Sequence, residues 1–228
     1  MSSETLSIVD RRSVAAYDAV DAARYARMPK STLRAWFLGQ AKFERVLVPA
    51  STTPLMLSFF NLAEAHVLNA IRRRHEVPLK QVRAALQTLA ERYPSTKYPL
   101  ISRAFLTDGV DLFVEEFGEI VNISRGERQH LQHVLESHVR RIDFSTGDLP
   151  VRLFPFSSAS FDESERRSIV IDPNIAFGRR VIFGTGIRTE IVAERYAAGE
   201  RMEDLADDYG RTLDEIEDAI RSEFSIAA

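Results

Sequence analysis

The chain of 228 residues contains no cysteine. This absence excludes disulfides, zinc–thiolate sites and thiol catalysis, and it fits a reducing cytoplasm. The N-terminus also lacks the basic and then apolar pattern of a signal peptide. The longest uncharged run, residues 46–63, is about as long as a membrane span, but Pro49, Pro54 and several Ser and Thr residues interrupt it. We therefore expect a buried segment there, and no membrane partner.

Motifs that carry chemistry are equally scarce. The sequence has no nucleophile-elbow motif and no carboxylate pair beside an apolar cleft. Gly184-Thr-Gly186 precedes a predicted helix, but a lone Gly-x-Gly indicates a turn more than a phosphate site. His130 and His133 could share a helix face with Glu127, yet no second cluster completes a metal shell. We predict no enzymatic activity, no metal and no cofactor.

Charge is distributed unevenly along the chain. The net charge is only -3, and the composition, 45% hydrophobic and 28% charged, is typical of a globular protein. The first 100 residues carry 15 Lys and Arg against 8 Asp and Glu, whereas the remaining 128 carry 15 against 25. A basic front and an acidic back predict two partners of opposite sign, or a head-to-tail contact within the molecule.

Periodicity and turn signals predict a mainly α protein with small β elements, an α+β fold. We assign residues 1–156 to a helix-turn-helix domain with a middle α/β extension, 157–168 to a polar linker, and 169–228 to a small domain ending in three helices. Val46–Val48 is predicted as a short strand. The turn signals Thr107-Asp-Gly109 and Phe117-Gly118 predict a short β-meander within Phe105–Ile123.

Residues 17–36 form the clearest functional pattern, two short helices joined by a four-residue break. The second helix starts near Ser31 and turns Leu33, Trp36 and Phe37 inward. Residues 24–45 carry six bases and one acid. This pattern predicts a DNA-binding site composed of Arg27, Lys30, Ser31, Thr32 and Arg34, whose side chains can reach phosphates or base edges. The alternative is a small helical hairpin without a DNA role.

The same stretch resembles the winged helix-turn-helix of the MerR-type regulators. The matching segment runs from Arg27 to Trp36, and Thr32, Leu33 and Arg34 match in register. Arg27 stands where that family usually has glycine in the turn. A left-handed conformation there costs arginine about 1 kcal/mol more than glycine, so either the turn differs or Arg27 gains a contact such as a phosphate.

The three C-terminal helices carry the opposite charge. Residues 201–224 contain nine acids and three arginines, a surface that phosphate would repel. One interpretation is a solvated acidic face over a small core. The other is a surface for a basic partner, formed by Asp207, Asp208, Asp214 and Asp218.

The segment Ile171–Ile187, with Ala198-Gly-Glu200 and Asp204-Leu-Ala206 after it, resembles a small bacterial domain common in antitoxins. Asp172-Pro173, Gly178, Val181, Gly184-Thr185 and Ile187 match its pattern, whereas Arg180 replaces the usual proline and Gly186 a common arginine. With the N-terminal helix-turn-helix, the chain resembles the long form of VapB-type antitoxins, paired with PIN-like ribonucleases. This resemblance implies neutralisation of a ribonuclease toxin by direct binding and repression of the shared operon.

The leading prediction is therefore a type II antitoxin that binds operator DNA and a cognate ribonuclease toxin, most simply as a homodimer. The alternative is a free-standing MerR-like transcriptional regulator whose middle region, residues 50–156, senses a ligand or partner. A third possibility is a structural adaptor without DNA contact.

Overall fold

The computed structural model of the protein describes residues 10–40, 43–73, 79–92, 94, 97–105, 110–121, 124–156 and 166–224. Within these ranges the chain folds into short and medium α-helices with two small antiparallel sheets, which confirms the predicted α+β class. The helices are α1 (Ala19–Tyr25), α2 (Lys30–Leu38), α3 (Phe59–Arg73), α4 (Leu79–Arg92), α5 (Val110–Val121), α6 (Arg125–Val139), α7 (Thr189–Ala197), α8 (Met202–Tyr209) and α9 (Leu213–Phe224). The strands are β1 (Tyr17–Asp18), β2 (Ser51–Thr52), β3 (Leu55–Leu57), β4 (Ile142–Phe144), β5 (Pro150–Leu153), β6 (Ile169–Ile171) and β7 (Arg180–Ile182).

The first sheet closes a winged helix-turn-helix. Its strand order is β1-β3-β2, so the strand before α1 pairs with the hairpin that follows α2. Tyr17 lies opposite Leu57, and Thr52 opposite Leu55. The order strand, two helices, hairpin gives the predicted winged architecture at the N-terminus.

The loop between α2 and the hairpin differs from its prediction. Val46–Val48 is not a strand; instead the backbone N–H groups of Val46 and Leu47 both donate to Trp36 O, at 2.7 and 3.0 Å. The loop thereby satisfies a carbonyl at the C-terminal end of α2, which otherwise lacks a partner. No helix in the described ranges is both long and apolar enough to cross a membrane.

Helix α3 runs through the centre of the N-terminal core. Every side chain from residue 59 to residue 70 is buried, as expected of a helix enclosed on all sides. Its polar side chains reach backbone carbonyls of the surrounding elements: Asn61 donates to Val48 O at 2.8 Å, and Asn69 to Ala26 O at 3.1 Å. These bonds fix the end of α1 and the loop after α2 on one scaffold.

The β-meander predicted within Phe105–Ile123 is wrong, because residues 110–121 form helix α5. Val110, Phe113, Val114 and Phe117 are buried at helical spacing. Thr107-Asp-Gly109 lies outside the described residues. Gly118 is not a turn residue; a Cβ there would lie 2.5 Å from Nε of Arg128, so glycine lets α5 and α6 pack closely.

A meander does occur, but later in the chain. Strands β4, β5, β6 and β7 form an antiparallel sheet in sequential order, with Leu153 opposite Ile171 and Ile169 opposite Ile182. The sheet joins strands from both sides of the predicted linker, 157–168. Residues 157–165 of that linker lie outside the described residues, and the domain boundary stays a prediction.

The C-terminal helices form the predicted trio over the end of this sheet. Their shared core contains Val192, Leu205 and Ile216, together with Ile169 and Ile182 from the strands. Gly210 ends α8 in the left-handed conformation at φ 60°. Thr212 and Glu215 then bond reciprocally at the start of α9 and form a capping box.

Candidate nucleic-acid interface

A tight turn joins α1 to α2. The Asp18 carboxylate caps α1 by accepting from Val20 N and Asp21 N at 2.7 and 2.8 Å, and the Asp21 bond lowers the pKa of Asp18. After α1, Arg27 adopts a left-handed conformation with φ 50°. The turn thus has the left-handed conformation for which glycine is usual, and the arginine side chain adds steric strain there.

Helix α2 divides cleanly into an inner and an outer face. Leu33, Trp36 and Phe37 are at most 1% exposed and belong to the core, so Trp36 and Phe37 are not surface stacking residues. Lys30, Ser31 and Arg34 are exposed on the opposite face, and Thr32 is half-buried. The structure therefore brings four of the five predicted DNA-binding residues together on one helix.

Of the two cations on this face, Lys30 interacts electrostatically with the Asp18 carboxylate and contributes to lowering its pKa. Within the described part of the chain, Lys30 and Arg34 make neither a hydrogen bond nor an ion pair. Pro29 occupies the N-cap position and makes no side-chain cap hydrogen bond, so it does not satisfy the first-turn N–H groups of α2. Two exposed cations beside a helix N-terminus form a surface suited to phosphate.

Arg27, the fifth predicted residue, lies elsewhere. It is only 7% exposed, and its Nε donates to Phe156 O at 2.6 Å while a terminal nitrogen donates to Arg221 O at 3.4 Å. The guanidinium thus satisfies carbonyls of the middle region and of α9. Its contact is internal, so the candidate surface consists of Lys30, Ser31, Thr32 and Arg34.

An ionic cluster joins the helix-turn-helix to the C-terminal helices. Glu223 of α9 pairs with Arg24 of α1 at 3.2 Å and with Arg180 of β7 at 2.8 Å. Burial lowers the pKa of Arg180, whereas the Glu223 carboxylate opposes that shift. Sequence reasoning missed this cluster; its only signal was Arg180 in place of the usual proline.

Two further contacts strengthen the same junction. Arg179 pairs with Asp21 of α1, and the buried hydroxyl of Tyr17 donates to Gly178 O at 3.0 Å. A Cβ on Gly178 would lie 2.2 Å from that hydroxyl. The DNA-binding candidate is therefore held directly against the C-terminal domain.

The predicted acidic surface is smaller than expected. Asp207 and Asp208 on α8 and Asp214 on α9 are exposed, with Asp208 paired to Arg195 and Asp214 to Arg166. Asp218, by contrast, is 2% exposed and accepts from the Ser168 hydroxyl at 2.7 Å. Asp218 stabilises the junction of β6 and α9, so it is not part of an exposed acidic face.

The other residues that the sequence offered as candidate sites either have structural roles or form no metal site among the described residues. Gly184-Thr-Gly186 forms the turn between β7 and α7, where the Thr185 hydroxyl donates to Ile182 O at 2.7 Å and accepts from Ile187 N at 3.0 Å. His130 and His133 are exposed on α6. Among the residues that the structure describes, no group of three His, Asp or Glu side chains could hold a metal.

Comparison with known families matches both halves of this architecture. Residues 15–86 match the family described as "Putative DNA-binding HTH domain", and residues 169–221 match "Protein of unknown function (DUF433)". The fold and the site thus define a protein in which a winged helix-turn-helix precedes a DUF433 domain.

Full-length relatives share this arrangement. The chain is 30% identical over 227 residues to "Uncharacterized protein Rv2308" of Mycobacterium tuberculosis, covering 94% of this chain and 91% of the relative, and it belongs to the same family. It is 28% identical over 236 residues to "Putative antitoxin VapB45" of the same organism, covering 92% and 94%. The crystal structure of Rv2018 from M. tuberculosis superposes with a TM-score of 0.69 at 28% identity, covering 91% of this chain and 98% of that one. The predicted resemblance to VapB-type antitoxins is confirmed.

Proposed function

We propose that the protein is the antitoxin of a type II toxin–antitoxin system, acting in the cytoplasm. It binds operator DNA through α2, represses its own operon, and neutralises a ribonuclease toxin by direct binding. The observation that carries the proposal is the exposed cationic face of α2, within a chain that aligns over 92% of its length with a protein named as an antitoxin. The proposed activities are binding activities and require no catalysis.

For the DNA-binding half, Lys30 and Arg34 are the residues to test. Both lie on the outer face of α2, where a recognition helix meets the major groove. Replacing both with alanine should weaken binding to the promoter region of the protein's own gene, measured by fluorescence anisotropy, by about tenfold or more. Arg125→Ala, which removes an exposed arginine on α6, is the matched control. Unchanged binding by the double variant contradicts the proposed recognition helix.

For the toxin-binding half, the acidic face of α8 is the surface that fits the basic RNA-binding groove of a ribonuclease. Asp204 and Asp207 are exposed there, and their side chains make no ion pair with any described residue. Their charges are therefore available to a partner. Occlusion of a basic groove by this face would block its access to RNA.

Co-expression with the product of the neighbouring reading frame tests this half. The wild-type chain should co-purify with that product and restore growth, whereas Asp204→Lys with Asp207→Lys should weaken both effects. Glu119→Lys, an exposed site on α5, controls for the change in net charge. If the reversed α8 variant binds as tightly as the wild type, toxin binding does not use this face.

The same experiment separates the antitoxin from a free-standing regulator that senses a ligand through residues 50–156. Such a regulator binds its operator without any toxic neighbour and without rescuing growth. A toxic neighbour that the chain neutralises supports the antitoxin.

A further inference from the structure

Phe177 projects into solvent from the short turn between β6 and β7. Its side chain is 91% exposed, and its backbone is left-handed at φ 55°. Exposure forgoes the stabilisation of burying an aromatic ring, and a bulky side chain at positive φ adds steric cost. Since glycine would remove both costs, the fold itself gains nothing from phenylalanine at this position. Such outliers concentrate at functional sites.

A cleft of about 550 Å³ opens beside this ring. Ile187, Ile191 and Tyr209 contribute apolar surface to it, and Phe177 stands at its edge instead of filling it. One face of the molecule therefore presents both a projecting aromatic ring and a partly apolar hollow able to receive one. Buried aromatic rings are common anchors of protein interfaces.

The charges around the cleft balance. Arg179 and Arg188 line it, and they pair with Asp21 and Glu190 respectively. All four side chains keep 20–43% of their surface exposed, so each can also contact another molecule. Of these four residues only the two arginines line the cleft, each held by a carboxylate beside it, so this face offers little to a strongly basic partner, unlike the acidic face of α8. It is complementary to a copy of itself.

We propose that this face pairs two copies of the chain about a two-fold axis, with Phe177 of each copy entering the cleft of the other. A two-fold interface uses the same patch on both subunits, so that patch must contain both the projecting and the receiving element. This face contains both, together with the two ion pairs beside the cleft. The inference deepens the proposed function, on which it rests, by naming the surface that forms the homodimer.

The position of the cleft has a consequence for DNA. Arg179 in its wall pairs with Asp21 of α1, so the contact lies beside both helix-turn-helix units. The dimer presents two α2 helices related by two-fold symmetry. It therefore binds a palindrome whose half-sites repeat at about one helical turn, roughly 34–36 Å, or a multiple of it.

Phe177→Gly tests the interface without threatening the fold, because glycine accepts the local φ and removes only the ring. Sedimentation equilibrium without DNA should give the mass of a dimer for the wild type and a dissociation constant at least about 30-fold higher for the variant. Ala176→Gly is the matched control: the neighbouring residue is also left-handed, at φ 47°, and the ring stays. This control should remain dimeric, and neither variant should lower the urea midpoint of the monomer.

Three results overturn the inference: a monomeric wild type, an unchanged dissociation constant for Phe177→Gly, or a dimeric variant that has lost only its capture of the neighbouring gene product. The last result assigns the ring to a different partner. Because mass is measured without DNA or toxin, the dimer is tested separately from the proposed function. A monomeric variant that still binds a half-site but no longer prefers the palindrome supports both the dimer interface and the proposed DNA binding.

Discussion

Replacing Arg27 with glycine is expected to destabilise the protein without weakening its binding to DNA. The buried guanidinium donates to Phe156 O at 2.6 Å and to Arg221 O at 3.4 Å, and so links the turn of the helix-turn-helix to two distant segments. Glycine keeps the left-handed turn but removes these two bonds. The candidate DNA-binding face on α2 is left intact.

The opposing effects can be compared. Relief of left-handed strain stabilises the variant by about 1 kcal/mol. Loss of the short charged hydrogen bond to Phe156 costs about 1.5–3 kcal/mol, and the longer bond to Arg221 costs about 0.5–1 kcal/mol. The balance of these three contributions is a destabilisation of about 1–3 kcal/mol, which for a chain of this size lowers Tm by roughly 2–12 °C.

Thermal unfolding and operator binding, measured on the same preparation well below Tm, provide the test. Arg27→Gly should lower Tm and leave the DNA Kd unchanged, whereas Lys30→Ala should leave Tm unchanged and raise the Kd. A folded Arg27→Gly protein with weakened DNA binding would show that Arg27 contributes to the DNA interface. A higher Tm would show that the two carbonyl contacts contribute less than the strain.

Three further outcomes follow from named contacts. Burial raises the pKa of Glu64 from 4.5 to about 8, so between these pH values the folded chain holds a proton that the unfolded chain releases. The free energy of unfolding should therefore fall as the pH rises from 4.5 to about 8. In Glu64→Gln the urea midpoint should change less over this pH range. Tyr17→Phe removes the buried 3.0 Å bond to Gly178 O and should lower the free energy of unfolding in urea by about 1–3 kcal/mol. Replacing Lys30 and Arg34 with alanine should make the slope of log K against log salt shallower by about 2, because each phosphate contact contributes about 0.9; an unchanged slope means that neither side chain contacts phosphate.

The sequence predicted correctly those features that depend on residues close together in the chain. The inward side of α2 follows from the spacing of Leu33, Trp36 and Phe37, because an apolar stripe reports which face of a helix is buried. The meander was misplaced for the complementary reason. Phe117-Gly118 has the form of a turn signal, but Gly118 leaves room for the side chain of Arg128 on α6. The residues next to Gly118 in the sequence do not reveal this contact.

The charged residues also divide into those whose location the sequence predicts and those whose location depends on the fold. Lys30 and Arg34 lie outside, as sequence reasoning expects of charges on a helix opposite a core face. Arg27, Arg180 and Asp218 are buried, because Phe156, Glu223 and Ser168 bring partners to them from 129, 43 and 50 residues away. Distances of that size along the chain leave no local signal.

The sequence alone determined the α+β class, the helix-turn-helix and the contrast between a basic front and an acidic back, since these depend on periodicity, turn chemistry and composition. Only the tertiary structure decided which charges remain available to a partner, how the helix-turn-helix is joined to the C-terminal domain, and that Phe177 projects beside a partly apolar cleft. Burial of a charge depends on a partner supplied by the fold, and exposure of an aromatic ring depends on what the fold leaves uncovered.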